Sequence, residues 1–169
     1  SWTTANTASV NENSQTVATL AATDTDTADS NGLAYTIQTN DNDLFEIDGT
    51  TLQFATAPNY EAPGCGSSSN SCTVTVRATD AAGTTTDLTI TVTINDLNDQ
   101  TPSWTTSNTA SVNENSQTVV AALAATDTDT ADAGGLAYTI QTNDNDLFEI
   151  DGTTLQFATA PNYEAPGCG

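Results

Sequence analysis

The chain has 169 residues with 22 Asp plus Glu, no His, and Arg77 as its one basic side chain, so its formal net charge is −21. One cation cannot form the basic surface that binds nucleic acid, and it gives an anionic membrane little to attract. Without His and Lys, most general-base and Schiff-base chemistry is excluded. Carboxylates remain in quantity, and they suit hard cations such as Ca²⁺.

Neither a membrane span nor a leader is predicted. No apolar run approaches the roughly 18 residues that a transmembrane helix needs. No basic start followed by an apolar segment marks a signal peptide. The sequence is therefore expected to be a mature product or a piece of a longer protein.

The elements in chain order are short strands. Alternation of apolar and polar residues is strongest in the last two of them, and no segment has a convincing helical period. Seven such strands in one repeat predict an all-β fold, an immunoglobulin-like Greek-key sandwich. The predicted strands cover residues 6–10, 16–22, 32–38, 44–47, 51–54, 72–78 and 88–94. Residues 40–43 are predicted to form a solvated turn rather than a site.

An internal repeat dominates the sequence. Residues 1–66 reappear as 103–169 with four substitutions and one inserted residue near Val120. The insertion would flip the faces of its strand unless a bulge absorbs it. The prediction is a tandem of two sandwiches, a complete repeat at 1–102 and an incomplete one at 103–169.

The second repeat has no copy of the last two strands, and a sandwich without them exposes apolar surface and open edges. Two interpretations follow from this. The repeat is cut from a longer array, or a neighbouring chain donates the strands, which would join chains head to tail.

Three cysteines bear on the compartment. Cys65 and Cys72 flank a Gly-Ser-rich loop, and a disulfide closing it is the simplest interpretation, which implies an oxidising compartment. Free thiols are the alternative, and a metal–thiolate site lacks the usual Cys-x-x-Cys or His. Cys168 copies Cys65, but a partner copying Cys72 would lie beyond residue 169.

Acidic and amide side chains recur at the ends of the predicted strands. Because the loops of a sandwich gather at two poles, clusters at adjoining poles of successive domains could converge on one ion. The five clusters are 11–13, 24–26, 59–61, 78–80 and 96–102.

These motifs, in this order, resemble those of a cadherin repeat, of the kind also found in bacterial and archaeal surface proteins. The resemblance implies a tandem repeat of a prokaryotic extracellular protein, an adhesin or a fibril protein. Glu12 resembles the family's glutamate near the first strand. The family's Asp-x-Asp, Leu-Asp-Arg-Glu and Ala-x-Asp motifs are similar to residues 24–26, 58–61 and 78–80. Its linker Asp-x-Asn-Asp-Asn-x-Pro-x-Phe is similar to residues 96–104.

The resemblance implies calcium at the junctions between repeats. At the complete junction it implies side-chain and carbonyl ligands from Glu12, Asn59, Glu61, Asp96, Leu97, Asn98, Asp99, Gln100, Asp127, Asp129 and Ala133. For a junction with a preceding domain it implies Asp24, Asp26 and Asp80. For one with a following domain it implies Glu114, Asn162 and Glu164.

Two ligand positions depart from the family pattern. Asn59 stands where the family has an aspartate, which removes one negative charge from the site. Gln100 stands for an asparagine whose carbonyl is the ligand in the family, so a smaller effect is expected there. Trp2 occupies the place of a tryptophan that some adhesive cadherins exchange. Because Trp104 copies it directly after a linker, both are predicted to be buried core anchors.

The resemblance implies an extracellular or cell-surface structural or adhesive module, stiffened by calcium into a stalk, fibril or surface filament. Its partners would be adjacent repeats or neighbouring copies of the same protein, with a cell-surface or glycan partner as a further candidate. The alternative is a carbohydrate- or ligand-binding sandwich, for which Tyr60 and Tyr163 are the candidate aromatic residues. Catalysis is not expected, because nothing marks a carboxylic acid held at a raised pKa.

Overall fold

A computed structural model describes residues 1–25, 32–115, 119–129 and 135–167. The chain divides into two compact units, Ser1–Leu97 and Asn98–Gly169. They are called unit 1 and unit 2 below. Among the described residues, no helix has the length and hydropathy that a membrane span requires.

Unit 1 is a sandwich of two sheets. All seven predicted strands are present, six of them with a shifted start or end, which confirms the all-β sandwich. The strands are β1 (Thr7–Asn11), β2 (Thr16–Thr19), β3 (Ala34–Asn40), β4 (Phe45–Asp48), β5 (Thr51–Phe54), β6 (Ser71–Thr79) and β7 (Thr85–Asn95). One sheet has the order β1-β7-β6-β3 and the other β2-β5-β4, with β1 parallel to β7 and the other pairs antiparallel.

The core of unit 1 lies between the sheets. The alternating strands β6 and β7 supply its centre, because every second side chain points inward. Val74 and Ile90 face each other across these two strands and are both fully buried. The opposite sheet contributes Phe45 and Phe54, whose ring centroids lie 4.6 Å apart.

The predicted turn at residues 40–43 contains a short 3-10 turn, Asp41–Asp43. Asn40 closes it from both sides, because its amide nitrogen donates to the Phe45 carbonyl (2.7 Å) and its amide oxygen accepts from the Phe45 N–H (3.0 Å). Unit 2 repeats the turn at Asp144–Asp146.

A disulfide joins Cys65 to Cys72, with the two Cα atoms 5.0 Å apart, so the disulfide prediction is confirmed. Both residues are buried. The bridge ties the start of β6 to the loop that precedes it. Cys168 lies outside the described residues.

In the described part of unit 2 the strands are β8 (Ser103–Trp104), β9 (Val119–Ala122), β10 (Ala125–Thr126), β11 (Phe148–Asp151) and β12 (Thr154–Phe157). They form two small sheets, of order β8-β10 and β11-β12-β9. The copies of β1 and β3 at residues 109–113 and 137–143 belong to no strand, although their sequences match unit 1 residue for residue.

The insertion near Val120 coincides with a β-bulge. The pairing of β9 with β12 skips Val120, and the equivalent pairing of β2 with β5 skips Val17. After the bulge, both strands pair with equivalent residues of their partners. The insertion therefore leaves the inward face of the strand unchanged.

The two tryptophans differ in burial. Trp2 is half-buried against the core, its ring centroid lies 5.5 Å from that of Tyr35, and its Nε1 donates to the Thr86 carbonyl (3.3 Å). Trp104 makes the same ring contact with Tyr138 but is 62% exposed. The prediction that Trp104 is a buried anchor is wrong, because Thr86 lies in β7 and residues 103–169 contain no copy of that strand.

We expect Trp2→Ala to lower the free energy of unfolding of unit 1 by about 2 kcal/mol, since it removes packed aromatic surface and one hydrogen bond. Trp104→Ala is the matched control, with an expected cost below about 0.5 kcal/mol, because surface substitutions change stability little. Urea denaturation of the full chain followed by circular dichroism measures both. Equal losses for the two variants would contradict the difference in burial.

Candidate metal centre

Glu12 anchors the candidate centre of unit 1. It directly follows β1, and its backbone N–H donates to the Asn95 carbonyl (3.0 Å) at the end of β7. Its side chain is 1% exposed. One carboxylate oxygen, Oε2, accepts from the Tyr60 N–H and the other, Oε1, accepts from the Leu97 N–H, both at 2.8 Å. One side chain therefore fixes three loop segments at the same pole of the sandwich.

Two further carboxylates converge on Glu12. Glu61 comes from the loop after β5, and Asp96 immediately follows β7. One carboxylate oxygen of each of the three residues lies within 4.8 Å of the others. Carboxylates at about 4 Å repel by roughly 1 kcal/mol per pair even at the dielectric constant of water, and more where they are partly buried.

No side-chain cation of the protein compensates this cluster. Arg77 is the one basic side chain in the sequence. It lies on β6 and forms a bidentate ion pair with Asp87 of β7, in which its Nε donates to Oδ1 (2.6 Å) and its Nη2 donates to Oδ2 (2.8 Å). The hydrogen bonds raise the pKa of Arg77 and lower that of Asp87. The three carboxylates of unit 1 thus form an oxygen-only donor set, which is the set that Ca²⁺ prefers.

Asn59 and Asp99 have local partners. The Asn59 side-chain oxygen accepts from the Ala62 N–H (2.9 Å), which closes an exposed turn that contains Glu61. In unit 2, the Gln100 amide nitrogen donates to Asp99 Oδ1 (2.7 Å). Both Asn59 and Asp99 are exposed.

Asp127 and Asp129 lie together in unit 2. The Asp129 N–H donates to Asp127 Oδ1 (3.0 Å), and the Gln100 N–H donates to Asp129 Oδ2 (2.8 Å). Their other oxygens, Asp127 Oδ2 and Asp129 Oδ1, are buried and accept no hydrogen bond from the described residues. A buried acceptor left without a partner costs about 1–3 kcal/mol, and more when charged. A bound divalent cation would satisfy these oxygens, so the residues fit calcium.

The residues predicted for outer junctions are less organised. Asp24 and Asp80 line one cavity of about 180 Å³ in unit 1, and Asp80 closes the β6–β7 turn by accepting from the Thr84 N–H (2.7 Å). In unit 2, Glu114 accepts from the Tyr163 N–H (3.0 Å). Asn162 accepts through its Oδ1 from the Glu164 N–H (3.0 Å). Asp26 and Ala133 lie outside the described residues.

The sequence did not indicate that backbone N–H groups hold the central carboxylate. The Leu97 N–H contacts Glu12, a role that is separate from the carbonyl oxygen predicted as a ligand. The Tyr60 N–H makes the second bond to Glu12. Backbone amides occur at every residue except proline, so no signal in the sequence distinguishes these two.

Comparison with known proteins decides the family. The family model described as "Cadherin domain" matches residues 6–95, which is more than half of the chain. The chain belongs to the cadherin family. Cadherin domains are extracellular adhesion modules that generally bind calcium, and an extracellular or cell-surface location follows for this chain.

Two curated relatives are cadherin proteins of mammals. Protocadherin Fat 4 of Mus musculus is 34% identical over 143 residues, which are 80% of this chain and 3% of that protein. Protocadherin Fat 4 of Homo sapiens is 32% identical over 163 residues, and the match covers 87% of this chain and 3% of that protein. The chain thus spans about 3% of the length of either relative. The prokaryotic origin suggested by the resemblance stays a prediction.

Solved cadherin structures share the fold. Human Protocadherin-24 EC1-2 has a TM-score of 0.74 at 19% identity, covering 94% of this chain and 76% of that one. Drosophila N-cadherin EC1-4 has a TM-score of 0.66 at 20% identity, and the match covers 91% of this chain and 39% of that one. At these identities the likeness concerns the fold alone.

Proposed function

We propose that this cadherin-family chain is a structural or adhesive module whose successive domains are held rigid by calcium. The observation that carries the proposal is the convergence of Glu12, Glu61 and Asp96 without a compensating side-chain cation. Without an ion, their mutual repulsion favours loosening of this pole of unit 1. With an ion, the same three groups become ligands, and binding stabilises the folded state by mass action.

The proposed ligands come from both units. Unit 1 would supply carboxylates, one amide and one carbonyl, and the buried acceptors of Asp127 and Asp129 support a contribution from unit 2. The proposed set is Glu12, Asn59, Glu61, Asp96, Leu97, Asn98, Asp99, Gln100, Asp127, Asp129 and Ala133. Similar sites at junctions with a preceding and a following domain would use Asp24, Asp26 and Asp80, and Glu114, Asn162 and Glu164.

Calcium at successive junctions would convert flexibly linked domains into a stiff rod, suited to a stalk, fibril or surface filament. Adjacent repeats and neighbouring copies of the same protein are the proposed partners, with a cell-surface or glycan partner as a further candidate. The surrounding acidity would keep parallel rods apart, because surfaces of one charge repel. We propose no enzymatic activity for the chain.

The carbohydrate-binding alternative has less support. Tyr60 packs partly against the core of unit 1, which leaves less of its ring to face a sugar. Tyr163 is 83% exposed, so it stays the stronger candidate of the two aromatic side chains.

Calcium titration tests the proposal. We expect added calcium to raise the melting temperature of the chelator-treated full chain and to change its small-angle scattering profile to that of a longer, narrower particle. At 100 times the dissociation constant, one site adds about 2.7 kcal/mol of stability. Magnesium at equal ionic strength is the control, because it demands smaller, near-octahedral sites. Identical melting and scattering with chelator and with calcium would overturn the proposal.

A further inference from the structure

The loop between β5 and β6 of unit 1 carries both a carboxylate of the candidate centre and one end of the disulfide. The loop covers residues 55–70, and Glu61 near its middle belongs to the carboxylate cluster. Cys65 follows Glu61 by four residues and is bonded to Cys72, the second residue of β6. A proposed ligand and a covalent link to the four-stranded sheet therefore lie on one short stretch of chain.

Packing against the core does not fix this loop by itself. A cavity of about 230 Å³ is lined by the loop residues Pro58 and Ala62 and by the core residues Phe54 and Ile94, among others. Atoms that face a void have no van der Waals partners across it. The position of the loop therefore depends on its links to the strands more than on close packing.

Two exposed hydrogen bonds hold the loop beyond Glu61. The Asn42 Nδ2 donates to the Gly64 carbonyl (2.7 Å), and the Gly66 N–H donates to the Asp41 carboxylate (3.1 Å). Exposed hydrogen bonds compete with water, so each contributes little net free energy. Both cysteines of the bridge are at most 2% exposed, so the disulfide is the buried and covalent link.

A further link joins the start of β6 to the central carboxylate. The Asn70 Nδ2 donates to the Tyr60 carbonyl (2.9 Å), and the Ile94 N–H of β7 donates to the Asn70 carbonyl (2.9 Å). The Tyr60 N–H in turn donates to Glu12. The bridge closes the chain next to this network, so we expect its opening to loosen the residues around Glu61.

We propose that the Cys65–Cys72 disulfide positions Glu61 for calcium, so that calcium affinity and the oxidation state of the bridge are coupled. This inference rests on the proposed calcium function of unit 1. With the bridge closed, the loop is ordered before the ion arrives, and binding costs less conformational entropy. With the bridge open, the ion must order the loop and binds more weakly. Because coupling is reciprocal, calcium also makes the bridge harder to reduce.

Opening the bridge is a two-electron reduction by a dithiol. One thiolate of the dithiol attacks a sulfur of the bridge, which breaks the S–S bond and forms a mixed disulfide. The second thiol of the reductant then displaces the protein sulfur, so the dithiol ends as a disulfide and Cys65 and Cys72 end as thiols. Since both cysteines are buried, attack requires local opening of the loop, which calcium bound to Glu61 would oppose.

Calorimetric titration of the full chain with calcium chloride is the first test. It compares the oxidised wild-type chain with the double variant Cys65→Ala and Cys72→Ala. The binding step of unit 1 is identified as the one that Glu12→Gln weakens most. We expect the dissociation constant of that step to rise at least about tenfold without the bridge, because ordering the backbone of a single residue already accounts for roughly that factor.

Trp2→Ala is the control for a loss of stability alone, since it is expected to cost unit 1 a similar free energy of unfolding. Trp2 contacts Tyr35 and Thr86. Thr86 is the second residue of β7, whereas Asp96 follows the last one, so the two lie at opposite ends of that strand. We expect Trp2→Ala to change the calcium dissociation constant less than about twofold, because distant sites act independently.

Redox equilibration of the wild-type chain tests the reverse direction without a variant. Cys168 is first alkylated, and the chain is then equilibrated with mixtures of reduced and oxidised dithiothreitol, in saturating calcium or in chelator. We expect calcium to shift the equilibrium at least about tenfold toward the disulfide, which is about 30 mV for a two-electron couple. Magnesium at equal ionic strength is the control and should give a smaller shift.

The outcomes separate this inference from the proposed function. Equal calcium affinities of the wild-type chain and the double cysteine variant would overturn the coupling and leave the calcium function standing. Equal weakening in the double variant and in Trp2→Ala would show that the bridge acts only through overall stability, which also overturns the coupling. A redox equilibrium that calcium does not move would do the same. An oxidised wild-type chain that binds no calcium would overturn the proposed function and this inference together.

Discussion

Glu12→Gln is expected to destabilise the full chain by about 2–4 kcal/mol when calcium is present and by about 1 kcal/mol or less in chelator. With an ion bound, the substitution removes a ligand charge, and the new amide NH₂ faces one of the two backbone N–H donors of Tyr60 and Leu97. Without an ion, the loss of one negative charge also relieves the repulsion from Glu61 and Asp96, which offsets part of the cost. The measurement is thermal unfolding in both conditions.

Glu114→Gln is the matched control, because Glu114 is the copy of Glu12 in the second repeat. It is exposed and accepts one backbone hydrogen bond from the Tyr163 N–H. We expect a change below about 0.5 kcal/mol in either condition, because residues 103–169 contain no copy of Asp96 to complete a carboxylate cluster around Glu114. A Glu12 variant whose cost is the same in calcium and in chelator would show that Glu12 is only a structural clamp and would remove it from the ligand set.

Breaking the disulfide is expected to lower the stability of unit 1 by about 2–3 kcal/mol. Cys65 and Cys72 close a short loop, and both sulfurs are buried at the start of β6. Because β6 lies between β3 and β7 in the sheet, loosening its start weakens strand pairing on both sides. For a domain of this size, a loss of that order lowers the melting temperature by roughly 10 °C or more.

The disulfide experiment compares the wild-type chain and the double variant Cys65→Ala with Cys72→Ala, each with and without reductant. Reductant should shift the midpoint of the wild-type chain toward that of the variant and leave the variant unchanged. A wild-type midpoint that does not respond to reductant, although two thiols per chain are detected in addition to that of Cys168, would contradict a stabilising role for the bridge.

The sequence predicted much of unit 1. The alternation in 72–78 and 88–94 identifies β6 and β7, since inward and outward side chains alternate with a period of two in any strand. The strand ends were less well predicted, because they depend on where pairing stops: β7 begins at Thr85, three residues before the predicted start, opposite Thr79 of β6. The spacing of Cys65 and Cys72 made the disulfide the simplest interpretation, and the structure contains it.

The candidate site was predicted as a set of residues but not as an arrangement. Glu12, Glu61 and Asp96 are far apart in the chain, and the sandwich brings them together because the strands before them end at the same pole. The sequence does not specify that Glu12 is the buried member, since its burial depends on the backbone of Tyr60 and Leu97. Glu114 lies in a near-identical stretch of sequence but is exposed. Residue type alone therefore does not decide whether this glutamate is buried.

By itself, the sequence determined the residue types available for chemistry, the alternation that makes strands, and the family motifs. Only the tertiary structure decided which of two identical segments becomes a strand. Residues 34–40 form β3 and residues 137–143 form none, although both read Ala-Tyr-Thr-Ile-Gln-Thr-Asn. The physical reason is that a strand is completed by hydrogen bonds to a neighbour. In unit 1 that neighbour is β6, and residues 103–169 contain no copy of it.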